Sequence, residues 1–178
     1  MRTRFVAATA SLLLLAGCSA GTPTSTGDFG LPEEETGPCI VGTWQLDVAD
    51  YSAQSESWLQ SQNPDLIDFE MTGSAQVTFT ASGISSVVDL STSVIMLAGE
   101  QPMLEEARNA YSGSGDWAQG DDANEIEFSY WATSPDPGAD IPTVDFFAVP
   151  SLTYTCSQTE LGLTSTGAPL TARWNRVS

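Results

Sequence analysis

The sequence predicts an all-β domain: an antiparallel β-barrel or sandwich of about 8–10 short strands, with room for a short helix after the first strand. Three observations predict it. Apolar and polar residues alternate through most of the chain after Gly42. Clusters of turn-forming residues interrupt that alternation at near-regular intervals, as they do in sandwiches and barrels. Strands do not alternate with helices in a way that would build a parallel sheet.

Each element follows from its own pattern. Trp44, Leu46 and Val48 fall on one face and Thr43, Gln45 and Asp47 on the other, which describes a half-buried strand. Between Asp50 and Gln62, the residues Tyr51, Ser55, Trp58, Leu59 and Gln62 recur at helical spacing, and no Pro or Gly intervenes before Pro64. A short helix fits there. Strands resume at Gln76–Thr80 with Val77 and Phe79 inward. They turn at Ala81-Ser82-Gly83 and continue with Ile84, Ser86, Val88, Leu90, Val94 and Met96 on one face. Gly99–Pro102 interrupts the pattern.

Met103–Tyr111 suits a helix or a strand, and its place in the repeat favours a strand from about Arg108. Gly113-Ser114-Gly115 permits a bend or bulge, after which Trp117 opens a short strand. The polar turn Gly120–Asn124 leads into Glu125–Thr133, with Ile126, Phe128 and Tyr130 on one face. Ser134–Pro142 is a Pro/Gly/Asp loop, and Thr143–Val149 is apolar on both sides. Leu152, Tyr154 and Cys156 alternate, Leu161 and Leu163 follow a turn, and Ala172, Trp174 and Arg176 close the chain on a single face.

The N-terminal segment is of another kind. Arg2 and Arg4 precede an apolar run, Phe5–Leu15, followed by small residues. This is the layout of an export signal, and the run is too short to span a membrane. It ends in Leu15-Ala16-Gly17-Cys18, which resembles the lipobox of bacterial lipoproteins. The resemblance implies a signal peptide over 1–17, lipid on Cys18, and anchorage to the bacterial cell membrane or cell surface. Residues 18–38 then form a Ser/Thr/Gly/Pro-rich linker ending near Glu33-Glu34-Glu35, with an average end-to-end reach of roughly 25 Å. The remainder, 39–178, is one domain by length.

Composition excludes several functions. The chain has five Lys plus Arg residues against 23 Asp plus Glu, for a net charge of −18. Arg2 and Arg4 lie in the signal segment. So acidic a domain repels nucleic acid, and the acidity suits either solubility or a cationic partner. Histidine is absent, and so is lysine. That removes Ser-His-Asp and Cys-His catalysis and the usual zinc sites, and with lysine go Schiff bases and phosphate-loop motifs. No enzyme activity and no cofactor are expected. Asp116, Asp121, Asp122, Asn124, Glu125 and Glu127 form the densest acidic patch. Their spacing is not that of a calcium loop, so they read as a solvated hairpin turn and no metal is expected. Apart from Cys18, the chain holds Cys39 and Cys156. In an exported protein an even pair defaults to a disulfide, with a free thiol as the alternative.

Gly42-Thr43-Trp44 resembles the Gly-x-Trp start of lipocalins and related calycin barrels. Trp174-Asn175-Arg176 is similar to the end of their last strand. Tyr154-Thr155-Cys156-Ser157 with Leu161-Gly162-Leu163 resembles the penultimate hairpin of lipocalin-like bacterial lipoproteins. A counterpart of the second lipocalin signature is missing. The resemblance implies a lipocalin-like barrel with Trp44 as a structural plug, Arg176 packed over it, and a small apolar or amphipathic ligand at the open end. Tyr51 and Trp58 would lid the mouth, and Phe128, Tyr130, Phe146 and Tyr154 would line it. Lipid-anchored barrels of this kind also resemble peptidase inhibitors, which implies the alternative of a protein-interaction module with no ligand inside.

Overall fold

The computed structural model describes residues 38–140, 145–165 and 169–177. The signal segment, Cys18 and nearly all of the linker lie outside the described residues. So do Ile141 to Val144, part of the loop and apolar stretch expected before Phe146. Among the described residues, eight antiparallel strands and one helix follow in order: β1 (Gly42–Leu46), α1 (Val48–Gln62), β2 (Leu66–Phe79), β3 (Gly83–Ala98), β4 (Gln101–Gln119), β5 (Glu125–Pro135), β6 (Ser151–Cys156), β7 (Glu160–Thr164) and β8 (Thr171–Arg176). Each strand pairs with its neighbours in the sequence, and β1 also pairs with β8, so the strands form a closed ring.

The strands are unequal, and this shapes the molecule. β1, β6, β7 and β8 are five or six residues long, whereas β2, β3 and β4 run for 14, 16 and 19. β1 pairs with β2 only over Gln76–Phe79, and β5 pairs with β4 only over Tyr111–Gln119. The far halves of β2, β3 and β4 therefore leave the ring as a three-stranded flap. Sequence patterning misses this. β2 starts at Leu66 rather than Gln76. The break expected at Gly99–Pro102 is a tight hairpin turn, with Gly99 at φ +70°. β4 then runs unbroken from Gln101 through Trp117. On β4 the inner face carries Glu105 and Asn109 and the outer face carries Leu104, which breaks the apolar-in, polar-out alternation.

The helix lies where expected, directly after β1. Asp47 caps it: its Oδ1 accepts from the Asp50 N–H at 3.0 Å, which satisfies one of the free amides of the first turn. The Asn63 N–H closes the far end on the Leu59 carbonyl, and Pro64 cannot continue the helix. The first half of α1 is tied on both sides. Ser52 Oγ accepts from the Met71 N–H of β2 at 2.8 Å. Gln54 makes two bonds to the Thr171 backbone of β8, at 3.1 and 3.2 Å. The helix so bridges the gap left where β2 departs from the ring.

Aromatic rings fill the interior of the ring. Phe147 is buried, with ring centroids 5.2–6.4 Å from Trp131, Phe128, Trp174, Phe79 and Phe146. Phe146 in turn meets Trp174 at 5.5 Å and Tyr51 at 5.3 Å. Residues Asp145–Pro150 form turns and bends, not a strand. Asp145 fixes this segment: its carboxylate accepts from the Phe147 N–H, the Trp131 indole at 3.0 Å and the Tyr111 hydroxyl at 3.3 Å.

One facing prediction is overturned. Tyr130 does not point inward; it is 86% exposed, with φ +54°. Between Ser129 and Ala132, β5 carries an extra residue opposite Gly115, and this bulge shifts the alternation by one. Trp131 turns inward instead. Its indole occupies the space that a Cβ on Gly113 would need, so the two glycines serve the partner strand.

Candidate functional site

The two ends of the ring have different geometry. At one end, Trp44 is fully buried and its indole N–H donates to the Ile40 carbonyl at 2.8 Å. Arg176, its register partner on β8, places its guanidinium 4.1 Å from the Trp44 ring centroid. The same guanidinium donates to the carbonyls of Val41 at 3.1 Å and Cys39 at 2.6 Å. Cys39 and Cys156 stand at disulfide distance, with Cα atoms 6.0 Å apart. Residues 38–41, which carry no sheet pairing, are thus pinned by a guanidinium and a sulfur pair together.

At the flap end lies a cleft of about 460 Å³, open to solvent on one side. One wall is α1, through Tyr51, Ser55, Trp58 and Leu59; the other is the inner face of the flap, with Leu170 beside them. The register fixes that inner face as two cross-strand rows: Phe69, Val94 and Glu105, then Met71, Thr92 and Ala107. Along β2 the cleft at Met71 is six residues from Val77, the register partner of Trp44, or roughly 20 Å at 3.3 Å per residue. A volume of this size is in the range of small-molecule sites. The cleft surface is mainly carbon, with hydroxyls from Tyr51, Ser55 and Thr92 and the carboxylate of Glu105. Burial pushes the Tyr51 hydroxyl above the usual tyrosine range, so it stays protonated as a hydrogen-bond donor at neutral pH.

The aromatic residues expected to line a site are divided by the structure. Tyr51 and Trp58 do line the cleft. Phe146 lies behind Tyr51 and joins the cleft to the packed interior. Phe128 packs on Phe147 inside the ring. Tyr130 is outside on the bulge. Tyr154 is half-buried and points its hydroxyl at the Ala123 carbonyl, 3.4 Å away, beside the β4–β5 turn. The residues that sequence reasoning missed are Phe69, Met71, Val94 and Glu105. Phe69 and Met71 do alternate with Asp68, Glu70 and Thr72, a signal sufficient to extend β2. Nothing local marks Glu105 as an inner-face residue, because only the β3–β4 register places it.

The acidic turn between β4 and β5 is exposed. Among the described residues, no group of three or more carboxylates or cysteines gathers closely enough to hold a metal ion. Among the same residues, no helix is long and apolar enough to cross a membrane. No protein-family model, curated protein or solved structure matches the chain.

Proposed function

We propose that the protein is a membrane-anchored bacterial envelope lipoprotein, held by lipid on Cys18, whose lipocalin-like barrel domain binds a small apolar or amphipathic molecule without catalysis. One observation carries the binding reading: the apolar cleft of about 460 Å³ between α1 and the flap, walled by Tyr51, Trp58, Phe69, Met71 and Val94. The site is then beside the ring and not within it, since aromatic rings fill the interior. Ligand transfer from water would be driven by burial of apolar surface, at about 25 cal/mol per Å², with the Tyr51 and Thr92 hydroxyls to orient it.

Native mass spectrometry of the intact protein tests this reading. A bound apolar species that disappears with Trp58→Arg is the expected result; a bare protein mass that stays bare after incubation with an alkyl alcohol series would sink it. The anchoring is tested separately, by the shift of Cys18→Ser protein out of the membrane fraction.

A second reading, a protein-interaction or inhibitor-like module with no ligand inside, draws on the exposed side chains of Leu97, Met103 and Leu104 around the β3–β4 hairpin. Capture of a partner by the wild-type chain, lost on Leu104→Glu with the cleft unfilled, would favour it.

A further inference from the structure

We infer that the cleft selects cationic amphiphiles: an apolar body between α1 and the flap, with an ammonium or guanidinium head at Glu105. The inference rests on the binding reading above and adds the sign of the ligand's charge.

Glu105 stands in one cross-strand row with Phe69 and Val94, on the cleft side of the flap, and lines the cavity. A carboxylate in such a row is wet while the cleft is empty. A ligand that fills the cleft covers part of it. A purely apolar ligand strips water from the carboxylate with nothing in return, a neutral hydroxyl returns a single hydrogen bond, and an anion adds repulsion. A cation removes the penalty and gains an ion pair.

Among the described residues, none supplies that cation. The described residues contain three arginines and no lysine. Arg108 holds Asp89 at 2.9 Å on the outer face, Arg173 reaches Asp50 at 3.7 Å, and Arg176 lies over Trp44. None of them lines the cleft. Trp58 and Tyr51 on the facing wall offer π surfaces that also favour a cation. Charge complementarity extends beyond the cleft: with a net charge of −18, the whole chain draws cations towards it at low salt.

The test uses three ligands of one shape: n-decylammonium, n-decanol and n-decanoate, each below its micelle-forming concentration. Binding to the full chain at pH 7 is measured by calorimetry, with Trp58→Ala protein as the blank. Decylammonium is expected to bind about five- to tenfold tighter than decanol, with decanoate weakest. Glu105→Gln should erase that order while leaving decanol binding in place, and Glu125→Gln, on the far turn, should leave it intact. Equal binding of all three by the wild-type chain would overturn the charge selection and leave the apolar cleft standing. Binding of none of them would overturn both.

Discussion

The two ends of this ring are built by opposite means. At the sealed end, short strands converge on residues that hold each other: Trp44 under Arg176, Cys39 beside Cys156, and Trp174 fully buried against Phe146 and Phe147. At the flap end, long strands outrun their partners, and α1 stands over the inner face they expose. Several apolar side chains at this end face a cleft or water: Trp58 and Leu59 line the cavity, while Leu104 is 56% exposed. An interior packed like a crystal resists change, because every lost contact leaves a void. A cleft wall has already given up those contacts. Stability should therefore reside at the sealed end, and binding at the other.

The largest expected effect comes from Trp174→Ala. Trp174 is fully buried, pairs in register with Leu46 and Leu161, and contacts Phe146 and Phe147. Its removal should destabilise the fold by about 3–5 kcal/mol, read as a fall in the denaturant midpoint at unchanged slope. A loss below about 1 kcal/mol would mean that the sealed end is not the stabilising half.

Replacing both Cys39 and Cys156 by Ser comes next. The two lie 117 residues apart, and opening so long a loop raises the entropy of the unfolded chain, at a cost of about 2–5 kcal/mol. The decrease should vanish when wild type and double mutant are compared under reducing conditions. The cleft is remote from the pair, so binding by the folded fraction should persist.

These residues also mark how far the sequence could be read. The sealed end is legible because its determinants are local or chemically distinctive: a Gly-x-Trp strand, one cysteine pair after Cys18, and a terminal Trp-x-Arg on inward parity. The flap is not, because Glu105 and Asn109 on its inner face and Leu104 on its outer face break the alternation. The bulge at Tyr130 depends on Gly113 and Gly115 of the neighbouring strand, so no window on β5 alone contains it. The cleft is a product of strand lengths, and those are set by which neighbours stop pairing.

A smaller effect should appear in alkaline solution. The Tyr111 hydroxyl is pushed well above the tyrosine range, first by burial and then by the Asp145 carboxylate it donates to. A group whose pKa is raised on folding stabilises the fold fully below its unfolded value, about 10. That contribution is lost as pH rises from there through the folded value. Denaturant midpoints should thus begin to fall above about pH 10. Tyr111→Phe should flatten part of the fall, at the expense of one hydrogen bond to Asp145 at neutral pH. An unchanged alkaline slope in that variant would place the sensitivity elsewhere.

Trp58→Ala should have the smallest effect on stability and is the sharpest test of the contrast with Trp174. The two residues are chemically the same and differ in what surrounds them. Trp58 is half-buried on α1, borders an open cavity and gives way in the variant to a better helix former. Its loss removes little packing that is not already missing, so the denaturant midpoint should shift by about 1 kcal/mol or less. Binding of an alkyl ligand should nevertheless be weakened strongly, because Trp58 provides much of one wall. A loss as large as that of Trp174→Ala would identify Trp58 as a core residue and the cleft as an incidental gap in the packing. Near-wild-type stability with lost binding would show that the chain keeps one tryptophan for the fold and the other for what the cleft receives.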